Sequence, residues 1–189
     1  EVFTDVEGNV WMASDGQGLF RYSGTQFTGL DETMGLPSAQ VTAIASNYRD
    51  SLFLGTYDAG LFVFKDGKIS PLSFPSAPVP AITSLCYTAK SKLWIGTRGR
   101  GLWSYEKGVF RQYVAPDRNF PSNFVNSIFE DDNERLWIGF ANGAILYEHD
   151  SFKTLQTKGR RINAFLSIGR DSMLIGEENG LLLYAGGEI

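Results

Sequence analysis

The chain has 189 residues, 43% hydrophobic and 20% charged, with a formal net charge of −4, enough apolar material for the core of one domain or a piece of one. That acidic balance argues against nucleic acid as a partner, since phosphate binding calls for a basic surface. No apolar run reaches membrane-spanning length and no signal-peptide pattern opens the chain, so no membrane contact is expected of this stretch, whatever anchors the full protein.

Val2-Phe3 reads as the end of a first strand, Asp5-Val6-Glu7-Gly8-Asn9 as a turn, and Val10-Trp11-Met12-Ala13-Ser14 and Gly18-Leu19-Phe20-Arg21-Tyr22 as two further strands. Gly35-Leu36-Pro37 crosses to a second segment that opens at Val41. It continues through Leu52-Phe53-Leu54-Gly55-Thr56 and Gly60-Leu61-Phe62-Val63-Phe64, with Asp66-Gly67 as a hairpin turn. Pro71, Pro75, Pro78 and Pro80 mark an irregular crossing. The third segment shows four strands, at 82–88, 93–97, 102–105 and 109–113. A fourth runs over 125–155, with its tight turn at Asp131-Asp132-Asn133-Glu134. The fifth begins at Ile162 and reaches Ile189 where a fourth strand is due.

These segments repeat one phrase. The aromatic of Leu93-Trp94-Ile95-Gly96-Thr97, or its stand-in, recurs at Trp11, Phe53, Trp94, Trp137 and Leu174, in steps of 42, 41, 43 and 37. A period near forty suits either helix pairs or four-stranded propeller blades. Short runs of Trp, Ile, Val, Phe, Tyr and Thr cut by Gly, Asp and Asn favour strands. The middle strands are apolar on both faces, as sheets stacked on sheets require. The predicted fold is all-β, a β-propeller with five visible four-stranded blades at about 1–33, 41–74, 82–114, 125–155 and 162–189. It is expected to be part of a larger propeller, because the fifth segment lacks a fourth strand and the first has none to lend. Kelch-like and sandwich folds are the alternatives, though a sandwich does not account for five copies of one phrase.

The phrase Leu-Trp-Ile-Gly-Thr followed by Gly-Leu and an aromatic resembles the two-component regulator propeller repeat. Gly35-Leu36-Pro37 ahead of Val41, and Asp5-x-x-Gly8-x-x-Trp11, fit it as well. The resemblance spans essentially the whole chain. It implies a sensing propeller outside the cytoplasm, in bacterial membrane histidine kinases, hybrid kinases and some diguanylate cyclases, with carbohydrates or their breakdown products as common ligands. The chain departs from the pattern where Thr56 and Thr97 become Phe140 and Glu177, and where the paired glycines become Arg100-Gly101, Ala59-Gly60, Gly143-Ala144 and Gly180-Leu181.

Enzymatic chemistry finds little footing. His149 is the sole histidine and reads as a turn residue beside Glu148 and Asp150. One His and one Cys cannot form a zinc cluster. Asp131 to Glu134 lacks the spacing and glycine of a calcium loop. In Asp5-x-x-Gly8-x-x-Trp11 the Asp and Trp stand one residue too far apart for a sialidase Asp box. No metal or cofactor is expected. Cys86 permits no internal disulfide and reads as a small core residue.

Propeller geometry puts the loops between second and third strands on one rim with the crossings between blades, and functional residues concentrate on loops held by a rigid scaffold. That rim collects Asp15, Gln17, Tyr57, Asp58, Arg98, Arg100, Phe140 and Asn142. Residues 177–179, 34–37, 119–121 and 158–161 join them. Arg98 and Arg100, one blade from Lys158, Arg160 and Arg161, would offer forked donors to a carboxylate or sulfate. Tyr57 and Phe140 would stack on a sugar ring. The plainer alternative is that the arginines pair with Glu177 and Glu178 for little net energy. The four tryptophans are expected in the blade core. A non-catalytic ligand-sensing propeller is the first reading, with a small-molecule or oligosaccharide ligand. A surface or secretion scaffold that binds a protein or itself is the alternative, and a propeller hydrolase or lyase a more distant one.

Overall fold

Strand-forming runs separated by turn residues fold, among the described residues, into nineteen β-strands and one short 3-10 turn, Glu32–Met34. The computed structural model describes residues 2–14, 16–30, 32–38, 40–75, 78–115 and 120–189. Asp15 and Asn119 therefore lie outside the described residues.

The strands form five meandering sheets in which sequence neighbours are spatial neighbours. The first holds β1 (Val2–Thr4), β2 (Val10–Ser14), β3 (Gly18–Tyr22) and β4 (Phe27–Leu30). The second holds β5 (Val41–Ser46), β6 (Ser51–Thr56), β7 (Leu61–Lys65) and β8 (Lys68–Pro71). The third holds β9 (Ile82–Tyr87), β10 (Leu93–Thr97), β11 (Leu102–Glu106) and β12 (Val109–Tyr113). The fourth holds β13 (Val125–Glu130), β14 (Leu136–Phe140), β15 (Gly143–Glu148) and β16 (Ser151–Thr154). The fifth has three strands, β17 (Ile162–Gly169), β18 (Ser172–Glu177) and β19 (Gly180–Ala185). The fold is the all-β propeller type, and the third segment's four strands stand where the sequence predicts them. No helix among the described residues is long and apolar enough to cross a membrane.

The contacts divide the chain into two compact units, Glu1–Tyr87 and Thr88–Ile189. In the first, Leu19, Leu30, Val41, Leu54 and Phe62 close around Trp11, each side chain contributing about 2 kcal/mol by leaving water. In the second, Trp137, Leu146, Ile162, Met173, Ile175 and Tyr184 form the corresponding cluster between the fourth and fifth sheets. All four tryptophans are buried, as expected of blade core. Cys86 is only half-buried, less enclosed than a core residue.

One device fastens sheet to sheet in both units. Gly55 has no side chain because Ile82 of the next sheet fills that space: an added Cβ would lie 2.5 Å from the Ile82 Cγ2. Beside it the Thr42 hydroxyl donates to the Ile82 carbonyl at 2.7 Å. In the second unit a Cβ on Gly139 would lie 2.8 Å from Ile162, and the Asn126 side-chain amide donates to the Ile162 carbonyl at 3.1 Å. The glycine of the repeated phrase is thus a socket, and the first residue of the next blade is its plug.

Candidate ligand-binding rim

The loops that follow the second strands are tied to the crossings that precede the first strands. The Tyr57 N–H donates to the Gln40 carbonyl at 3.0 Å, Ala141 to Phe124 at 3.0 Å and Glu178 to Arg161 at 3.2 Å. In the third sheet the N–H groups of Gly99 and Gly101 both donate to the Asn123 carbonyl, at 3.1 and 2.9 Å. Gly143 is wedged so that a Cβ would come within 3.2 Å of both Pro121 and Thr157. Within the second unit, segments 98–101, 121–124, 141–143, 157–161 and 177–179 therefore adjoin one another along a single rim.

Arg98 and Arg100 are exposed on this rim. The Arg98 backbone bridges Phe124. The Arg100 carbonyl is held by the Trp103 indole N–H at 3.1 Å and the Gln112 side-chain amide at 2.9 Å. Thr97, wholly buried, donates its hydroxyl to the Gly101 carbonyl and closes the loop from below. The backbone under the two guanidinium groups is thus fixed at both ends. Arg161 is also exposed, on the crossing into the fifth sheet.

Two predicted site residues behave otherwise. Phe140 is 0% exposed and its ring packs on Phe120 with centroids 5.4 Å apart, so it presents no face to a sugar. It fills, with hydrophobic bulk, the place where Thr56 and Thr97 clamp a loop carbonyl. Arg160 donates to Glu177 Oε1 at 2.8 Å, and that carboxylate's side chain is only 3% exposed. Removing the cation would strand a buried charge, so Arg160 positions Glu177, which in turn accepts the Asn179 N–H at 3.0 Å. An acid in the buried threonine position of the repeat was the sequence signal for this pair. Tyr57 is 45% exposed and belongs to the first unit.

The hairpins at the other ends of the strands build features that motif reading passed over. Asp5 Oδ2 accepts the Trp11 indole N–H at 2.7 Å, and Asp131 Oδ2 accepts that of Trp137 at 2.8 Å. Burial pushes the Asp5 carboxyl up, but hydrogen bonds from Trp11, Asn9 and Glu7 outweigh it and hold the group below its ordinary range. Arg21, Lys92 and Arg135 lie 5.7, 5.6 and 5.6 Å from the ring centroids of Trp11, Trp94 and Trp137, close enough for cation–π attraction. Two small clefts open at these hairpins, one beside the Asp5–Trp11 clamp and one beside Trp94. One of about 140 Å³ in the first unit is lined by Asp5, Trp11, Arg21, Arg49 and Asp50 among others. One of about 150 Å³ in the second is lined by Lys90, Lys92, Glu130, Glu134, His149 and Asp150 among others. There burial pushes the Glu130 carboxyl up although it accepts the Ala89 N–H at 2.8 Å. Burial likewise raises the Tyr147 phenol, which donates to Asp150 at 2.7 Å. His149 and Asp150 form a two-residue hairpin turn with φ of 47° and 59°.

Residues 119–142 match the family model described as Two component regulator propeller. No curated protein matches the chain. Among solved structures, the extracellular domain of BT3049 from B. thetaiotaomicron, designated a hybrid two component system, superimposes with a TM-score of 0.84 at 23% identity, covering 98% of this chain and 27% of that one. PorZ of Porphyromonas gingivalis, a bacterial surface component of the type-IX secretion system, matches with a TM-score of 0.72 at 17% identity over 97% of this chain and 32% of that one. Virginiamycin B lyase from Staphylococcus aureus gives 0.72 at 12% identity over 96% and 64%. At these identities the likeness shows the fold alone, and the chain spans about a quarter of the length of the BT3049 domain.

Proposed function

We propose, from the two component regulator propeller repeat that this chain carries, that it is a non-catalytic sensing module outside the cytoplasm. It binds an anionic, carbohydrate-derived ligand on the rim that bears Arg98, Arg100 and Arg161 and biases a signalling module elsewhere in the protein. The supporting observation is the loop 98–101, held through the Gly99 and Gly101 N–H groups and the Arg100 and Gly101 carbonyls, on which Arg98 and Arg100 are exposed. Forked donors on a rigid base suit a carboxylate or sulfate and lose little freedom on binding. On a chain of net charge −4 they form a local exception to the prevailing field. Tyr57 is a separate candidate for ring stacking on the first unit. The likeness to extracellular domains supports the compartment, and the role of the whole protein rests on analogy.

Calorimetric titration with uronate-containing or sulfated oligosaccharides tests this reading. Arg98→Ala with Arg100→Ala is expected to weaken binding about tenfold or more, equivalent to at least one charge-assisted contact, with an unchanged melting temperature. Arg160→Ala, by contrast, is expected to destabilise the fold. Neutral glycans binding as well as anionic ones, or an unaltered affinity in the double variant, would refute it.

A further inference from the structure

The fifth sheet carries an open socket. In β6, β10 and β14 nearly every residue is buried, both faces being covered, whereas β18 alternates between buried and half-buried positions. Its covered side, Met173 and Ile175, packs toward the fourth sheet. On the other side the registers align Leu166 with Leu174 and Leu174 with Leu183. Leu166, Leu181 and Leu183 are 60, 70 and 51% exposed. In the fourth sheet the same row is Phe129, Trp137 and Leu146, and there the fifth sheet covers it.

Gly176 occupies the place of Gly55 and Gly139 in the repeated phrase. Among the described residues, the nearest atoms to an added Cβ at Gly176 all belong to Ala164 of its own sheet, the first at 3.4 Å, where the other two come within 3 Å of the plug of the following blade. Asn163 stands where Thr42 and Asn126 stand, the residues that donate to that plug's carbonyl. The edge beyond β19 is set in register too. Ala185 bridges Glu188 across Gly186 and Gly187, with φ of 61° and 96°. The hairpins Lys65–Lys68, Glu106–Val109 and Glu148–Ser151 pair in the same way.

We infer that the Leu174 face of the fifth sheet is a docking surface for one further blade of this same repeat. That blade's first strand would bring an isoleucine or valine over Gly176 and a carbonyl to Asn163. Its occupant follows from continuity with the two interfaces already formed, which pair the same socket with the same plug, and does not depend on the ligand reading. Stacked repeats gain stability chiefly from nearest-neighbour interfaces, and an apolar face left bare is a liability to a protein in water.

Extending the chain by its own sequence tests this. Residues 153–189 appended after Ile189 continue the hairpin register, complete the fourth strand and present a second copy of Ile162 to Gly176. Residues 111–154 appended there do the same with Val125. Amide exchange in β19 is expected to slow at least about tenfold in an extended chain, with a higher melting temperature. Gly176→Ala should abolish both gains while leaving the unextended chain as stable as before. Unchanged β19 exchange in both extensions would overturn the proposal. So would self-association of the unextended chain that Gly176→Ala abolishes, since the face would then belong to a second copy.

Discussion

Asp131 accepts four hydrogen bonds, from the Asn133 and Arg135 backbone, the Arg135 guanidinium and the Trp137 indole. One carboxylate thus closes the hairpin and holds the blade's largest core ring in place. Asp131→Ala leaves a buried indole N–H unmatched and takes the Nε partner from a largely buried guanidinium, which keeps Asp171 and the Arg170 carbonyl, and is expected to cost about 3 kcal/mol. Asp132→Ala next door, exposed, should stay within about 0.5 kcal/mol, and urea denaturation of the pair measures the difference. Ser84 and Ser127 hide hydroxyls with no partner among the described residues, at positions where the second and fifth segments carry Ala43 and Ala164. Ser127→Ala is accordingly expected to stabilise by about 1 kcal/mol, and a lower melting temperature would count against this. The sequence showed Asp5 and Asp131 as turn residues but not as clamps, because the reach to a tryptophan six positions on depends on the hairpin's curl rather than on a motif. Phe140 was misplaced for a related reason: the ring that covers it, Phe120, comes from the crossing and not from its own strand.

Strands and hairpins were more legible than side-chain roles. Apolar residues on both faces marked the buried middle strands, and a Gly or Asp in each turn marked the hairpins, since both signals are local. The clefts were not legible, because the second unit's cleft needs turn 88–92, Glu130 and Glu134, and hairpin 147–150 to meet from adjacent sheets. Glu130 reports on that meeting. Its carboxyl binds its proton more tightly in the folded chain than its ordinary value of 4.5 allows. The native state therefore holds more protons than the unfolded one, and stability falls as pH rises from about 4.5 through the folded pKa. Glu130→Gln, which keeps an acceptor for the Ala89 N–H, is expected to remove this decline. The variant should gain on the parent between pH 4 and pH 7, and an offset that does not change with pH would contradict the assignment.

The chain is a series of sheets in which the glycine sockets at Gly55 and Gly139 receive the first residue of the following sheet, and within the second unit that packing leaves a rim of short, tethered loops. The period of the repeat made the architecture readable, whereas the proposed ligand site was not, because it depends on a few side chains that the repeat does not constrain. Arg98 and Arg100 stand out against the repeat, and Arg160 did too until its bond to Glu177 accounted for it. Mapping amide chemical shifts during titration with a sulfated or uronate oligosaccharide bears most directly on the sensing claim. The account expects saturable shifts centred on 98–101 and the adjoining 121–124 and 157–161, with the glycan recovered intact. Shifts centred on the hairpins at 88–92, 131–135 and 148–151, or cleavage of the glycan, would contradict it.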